Sequence, residues 1–199
     1  MDTVTDLKKL LMEERQAAFF RLRGGYPIPL AGGIWWALLG GMGFVVHNRG
    51  LWIFLAFALS GVLFPLALLL SKLFHVDFMK DRTPVSDVVF PAMGSMLLFW
   101  PMAIAAYWSF PQLVPLILGV GMSIMWPVIG WSYGRTALYS THAIVRAVVC
   151  FVIWNWWPAA RFTVLPLAVS LIYVVSVVAM IVLSSPRARA ASLPIRELA

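Results

Sequence analysis

The feature that most constrains this chain is a series of apolar runs, each about 20 residues long, separated by short polar turns. As an α-helix, a run of that length crosses the hydrocarbon core of a bilayer, roughly 30 Å thick, with every backbone N–H and C=O satisfied inside the segment. Only 12% of the residues are charged, where a soluble domain keeps roughly a quarter. The mean hydropathy of +0.89 agrees. The expected fold class is an all-α, polytopic membrane protein.

Taken in order, the pattern predicts six transmembrane helices, near residues 28–46, 51–73, 88–108, 113–131, 141–158 and 162–183. They make a membrane domain over residues 26–184, between an N-terminal segment of residues 1–25 and a tail of residues 185–199. In the N-terminal segment Val4, Leu7, Leu11, Ala18 and Leu22 share one face at helical spacing, which predicts a cytoplasmic amphipathic helix. Gly24-Gly25-Tyr26-Pro27-Ile28-Pro29 then stops it. No cleavable signal peptide is expected, because the charged, apolar, small-residue order is missing.

Six crossings sort the charges. Lys8, Lys9, Arg15, Arg21, Arg23, Lys72, Lys80, Arg82, Arg135, Arg187, Arg189 and Arg196 fall on one side, and only Arg49 and Arg161 on the other. The positive-inside rule then places both termini in the cytoplasm, and the expected location is a bacterial inner membrane. The net charge of +7 does not imply nucleic acid, since the cations lie at helix ends rather than in one patch. Cys150 is alone, so it can form neither an internal disulfide nor a cysteine metal cage, and it reads as a packing residue.

The polar passage from Gly130 to Arg146 interrupts the apolar second half. If residues 135–146 are helical, Arg135, Tyr139, His142 and Arg146 fall on one face. Two cations, a phenol and an imidazole together are a candidate contact for an anion or an anionic lipid headgroup. The competing reading is an ordinary basic cytoplasmic turn. With the fifth span starting near Thr141, Arg146 lies about one turn inside it and can snorkel to the headgroups.

Aromatic-proline pairs recur at Phe64-Pro65, Phe90-Pro91, Trp100-Pro101, Phe110-Pro111, Trp126-Pro127 and Trp157-Pro158. Prolines within spans bend helices, and bent helices can enclose a cavity. Trp35, Trp36, Trp100, Pro101, Trp126 and Pro127 are the candidate cavity lining, with plain packing as the alternative. Gly33, Ala37 and Gly41 recur every four residues and form a small-residue strip, the candidate contact for a homo-oligomer.

Asp77 and Asp81 lie one helical turn apart, a spacing that shares a divalent metal in some lipid-synthesising membrane enzymes. The Asp-Gly and Ala-Arg elements that precede such acids in the phosphatidyl-alcohol transferases are missing, so ion pairing with Lys80, Arg82 or Arg135 is expected instead. No catalytic residue, metal or cofactor is expected. No Asp or Glu falls inside a span, which argues against a carrier driven through a buried carboxylate.

The segment Phe64-Pro-Leu-Ala-Leu-Leu-Leu-Ser-Lys-Leu73, with Gly130-Trp-Ser-Tyr-Gly-Arg135 and Tyr139-Ser140, resembles a family of small bacterial multipass membrane proteins of unknown function. The resemblance implies the architecture and no chemistry. The expected function is therefore a small transporter- or channel-like protein with kinked helices around a cavity. A non-catalytic membrane scaffold or accessory subunit is the alternative, and an enzyme acting on lipid headgroups comes third.

Overall fold

The computed structural model describes residues 3–76, 78–81 and 83–192, all helical or in turns and without a strand. Helix α1, Thr3–Arg21, carries the predicted apolar stripe, but the stripe divides. Ala18 and Leu22 are buried against the bundle, whereas Val4, Leu7 and Leu11 are exposed. The helix ends where Arg23, Gly24 and Gly25 all take positive φ, at 50°, 67° and 62°. Glycine adopts that backbone without the Cβ clash other residues meet, which is why the Gly-Gly pair stops the helix here.

Helix α2, Pro27–Val45, starts on a proline, whose missing N–H is one of the donors a first turn leaves unused anyway. After it, Asn48 caps α3, Arg49–Ser60, by accepting from the Leu51 N–H at 3.0 Å. Helix α4, Leu63–Leu73, follows at a bend of 47°. Next come α5, Pro84–Asp87, and α6, Val89–Met96. A 3-10 turn at Leu97–Phe99 leads into α7, Trp100–Ser109. Helices α8, Val114–Gly121, and α9, Trp126–Ser132, are two pieces of one broken crossing. The chain closes with α10, Thr136–Trp156, α11, Val164–Leu183, and the short α12, Pro186–Ser192.

Five stretches are long and apolar enough to cross a membrane: Arg23–Val45, Val85–Ser109, Pro111–Ser132, Thr136–Trp156 and Val164–Leu183. The bent pair α3–α4 adds a sixth if it is one span. The prolines inside the spans sit just after breaks in the helices, and the 47° bend between α3 and α4 directly precedes Pro65. Pro101 and Pro127 are the second residues of α7 and α9, and Pro65 is the third of α4, so each opens a new helical piece.

Helix α2 packs most extensively on α11. Glycines allow it: a methyl on Gly40 would meet Leu167 Cδ2 at 2.6 Å, and one on Gly43 would overlap the Phe162 carbonyl. The expected Gly33/Ala37/Gly41 strip is split. Gly33 faces Tyr173 within the chain, while Ala37 and Gly41 look outward, and a methyl on Gly41 would meet nothing within 4 Å. The tight line is instead Gly33, Gly40 and Gly43.

The fifth crossing also differs from expectation. Gly134, at φ 62°, turns the chain directly from α9 into α10, so the helix begins at Thr136 rather than near Thr141. Polar residues that look like a loop are the first half of a span. The two largest, Tyr139 and His142, face inward, while Thr136 and Thr141 are exposed.

Candidate functional site

The inward face of α10 carries Tyr139, His142, Arg146, Cys150 and Ile153, at spacings of three and four residues. Arg146 is the eleventh of the 21 residues of α10. At 1.5 Å per residue it sits about 15 Å from either end, which is mid-depth. Its exposure is 0%, so the expected snorkelling to the headgroups does not occur. Arg135, at the N-cap, shares the face but stays near the end, with its guanidinium 5.1 Å from the Phe19 ring. The four predicted residues thus do share a face, and that face points into the bundle.

Around Arg146 the partners are neutral. One terminal nitrogen donates to the Tyr173 hydroxyl at 2.6 Å, and the other reaches the Leu118 carbonyl at 3.5 Å. The guanidinium carbon lies 5.3 Å from the Trp36 ring centre and 5.0 Å from that of Tyr173, so aromatic faces supply much of its electrostatic company. No ion pair to Arg146 is present among the described residues. It is also the only charged residue more than three positions from the end of a candidate span there.

His142 lies one turn before Arg146. Its ring stacks on Trp126 at 3.8 Å and 14°, and Nδ1 is hydrogen-bonded to the Ser176 hydroxyl at 2.7 Å. Trp126 opens α9, directly after the break that follows α8. Leu118, whose carbonyl faces Arg146, lies in the last full turn of α8. The two pieces of this crossing therefore meet the polar face of α10 at different residues, Leu118 at Arg146 and Trp126 at His142. Four buried nitrogens in and around this shell have no partner: Arg146 Nε, Trp36 Nε1, Trp35 Nε1 and His142 Nε2. A buried polar atom without a partner is costly, so four in one region call for a physical reason.

At the α1 end of the bundle a second cluster carries more direct pairing, although Asp81 Oδ2 and Arg135 Nε there are also buried without a partner. Tyr139 donates to the Gly24 carbonyl at 2.6 Å. Arg15 donates through Nε to the Trp131 carbonyl and lies 4.5 Å over its ring. Arg21 bridges Asp81 at 2.8 Å and Glu14 at 3.0 Å. The hydrogen bond to Asp81 raises the Arg21 pKa above its ordinary value, against a smaller lowering by desolvation. Burial pushes the Tyr133 hydroxyl up, and the charge of Asp81 adds to it. The expected pairing of Asp81 thus involves Arg21, which the loop sequence alone does not suggest. Asp77 and Arg82 lie outside the described residues.

The candidate cavity residues separate. Trp35, Trp36 and Trp126 are buried, and the last two belong to the shell around Arg146 and His142. Trp100 is half-buried and stacks on Phe99 at 5.2 Å, Pro101 is exposed, and Pro127 lines a shallow apolar groove with Val88, Val128, Trp131 and Thr136. Tyr173 and Ser176 were not anticipated. Their signal is a row of polar positions, Ser170, Tyr173 and Ser176, at helical spacing in an otherwise apolar span.

Residues 11–183 match the family described as a family of unknown function (DUF7010). No curated protein and no solved structure matches the chain.

Proposed function

Starting from the family of unknown function to which this chain belongs, DUF7010, we propose that it is a small transporter- or channel-like protein of a bacterial inner membrane. In this reading it has six spans, with α3 and α4 as one bent crossing, and both termini are cytoplasmic. One observation carries it: Arg146 is fully buried at mid-depth, without an acidic partner, beside a broken helix. Ionisable groups inside a membrane domain are costly, and they gather where solutes or ions are handled. Discontinuous helices at mid-membrane accompany such sites, because freed backbone groups can meet a solute there. Arg23, exposed at the α1 end, is then a contact for anionic lipid headgroups.

A second reading, a membrane scaffold, draws support from the closed packing of the tryptophans around the centre. Cys150 separates the two. It is fully buried, one helical turn from Arg146 on the same face, and is the chain's single thiol. If water reaches the centre during a transport cycle, a membrane-impermeant maleimide should label Cys150 in native membranes over minutes to hours. Protection of Cys150 until the protein is denatured would favour the scaffold.

A further inference from the structure

We infer that the centre of the bundle is a binding site for a small monovalent anion of the halide or nitrate class, held by Arg146 and the indole N–H of Trp36. The inference rests on the reading of this centre as the place where a solute is handled, and it names that solute's chemistry.

The first argument is charge. Arg146 brings one positive charge to 0% exposure, and its direct contacts are a phenol, a carbonyl and two aromatic rings. None of these neutralises it. A single negative charge does, whereas a phosphate dianion would leave the centre charged again and would cost more to dehydrate.

The second argument is the unpaired donors. Arg146 Nε and Trp36 Nε1 can only donate, both are buried, and both lack an acceptor. Charge-assisted hydrogen bonds from a guanidinium are among the stronger ones, so leaving Nε idle at mid-membrane is expensive unless an acceptor arrives. Nε2 of His142 is a further unpaired polar atom one turn away.

The third argument is the wall. Trp36 and Tyr173 bound the site with rings, and Trp126 packs edge-on against Tyr173. An aromatic, low-dielectric surrounding favours an anion that gives up its water easily over a strongly hydrated one. The close packing of the shell favours a small one.

The test uses the full chain purified in detergent with sodium gluconate as the background salt. Sodium chloride, sodium nitrate and sodium phosphate are titrated at constant ionic strength, and heat of binding and melting temperature are both read. Chloride or nitrate should bind saturably, at a single site per chain, and phosphate should not compete. Arg146→Lys keeps the charge but loses the fork, and should weaken binding by about tenfold, the equivalent of one charge-assisted hydrogen bond. Trp36→Phe keeps the ring and removes the donor, so it should weaken binding severalfold in a chain that still melts cooperatively. It decides the matter if the lysine variant does not fold. The absence of saturable binding by both chloride and nitrate overturns the inference. Binding that is unchanged in the folded variants means an adventitious ion only, and overturns it as well. Labelling of Cys150 without anion binding would sink this inference while leaving the solute path standing. Anion binding with Cys150 protected in anion-free membranes would sustain the site and sink the path.

Discussion

Arg161 and Arg146 are both buried arginines of one small bundle, at 9% and 0% exposure, and they are buried in opposite ways. Arg161 donates through Nε to the Trp154 carbonyl at 2.7 Å and through a terminal nitrogen to Gln112 Oε1 at 2.6 Å. It also lies 4.4 Å over the Trp154 ring, whose own N–H donates to the Gln112 carbonyl at 2.8 Å. Arg146 has a phenol, a long contact to one carbonyl, and an idle Nε. The difference follows from position along the helix. Trp154 is in the last turn of α10, where carbonyls have no intrahelical partner and can accept from a side chain. Arg146 is mid-helix, where the ladder has used the carbonyls, and the Leu118 carbonyl it reaches already accepts from the Met122 N–H at 3.2 Å. Burial at an end fastens the fold; burial at the centre leaves a charge to be met from outside.

The largest expected effect separates the two residues on binding. Arg146→Met should abolish anion binding, a loss of about a hundredfold or more, because the site loses its one positive charge together with the Nε donor. Arg161→Met should leave it unchanged in whatever fraction folds. A parallel loss at both would break the comparison, and isothermal titration reads it directly.

Stability should move the other way. Arg161→Met strands the Trp154 carbonyl and Gln112 Oε1, and should cost about 2–3 kcal/mol, read by thermal or denaturant unfolding in detergent. Arg146→Met removes an uncompensated buried cation and should leave stability equal or higher. Equal destabilisation by both would mean that Arg146 is merely structural.

Close packing offers a control of similar size that touches neither arginine. Gly43→Ala should destabilise by about 1–3 kcal/mol through overlap with the Phe162 carbonyl, while Gly41→Ala should fall within about 0.5 kcal/mol of the parent. Comparing the melting temperatures checks it.

Tyr173→Phe gives the smallest effect. It removes the one short hydrogen bond to Arg146 and should cost about 1 kcal/mol. Anion binding should be retained or strengthened, because another guanidinium donor becomes free. A complete loss of binding would place Tyr173, and not Trp36, as the second donor.

Much of this was legible in residue order. Run lengths located the spans, Gly24-Gly25 located the end of α1, and four-three-four spacing put Arg135, Tyr139, His142 and Arg146 on one face. The direction of that face was not legible. Tyr139, Ser140, Thr141 and His142 lower the local hydropathy, so the pattern alone starts the span near Thr141 and places Arg146 about one turn deep. Only the turn at Gly134 sets its true depth. The glycine strip divides for a related reason. Spacing of four holds for Gly33, Ala37 and Gly41, but the neighbour that α2 meets is chosen by the tertiary fold, which selects Gly33, Gly40 and Gly43. The prolines marked the discontinuities, and at Pro65 the discontinuity is a bend of 47°. Tyr173 and Ser176 carried a periodic signal, but which helix they answer to is a property of packing alone.

The turn at Arg23–Gly25 has a mechanical consequence. Its Gly24 carbonyl holds the Tyr139 hydroxyl, one turn before His142 on the face that carries Arg146. Arg15, earlier on α1, grips the Trp131 carbonyl of α9. The leading helix is thus tied to both partners of the hairpin that carries the centre. A rotation of α10 large enough to admit water must either snap the Tyr139–Gly24 tie or drag α1 along as a lever arm. The inner motion and the outer helix are geared together, and a probe on the exposed Leu7 or Leu10 would register a movement that begins at mid-membrane.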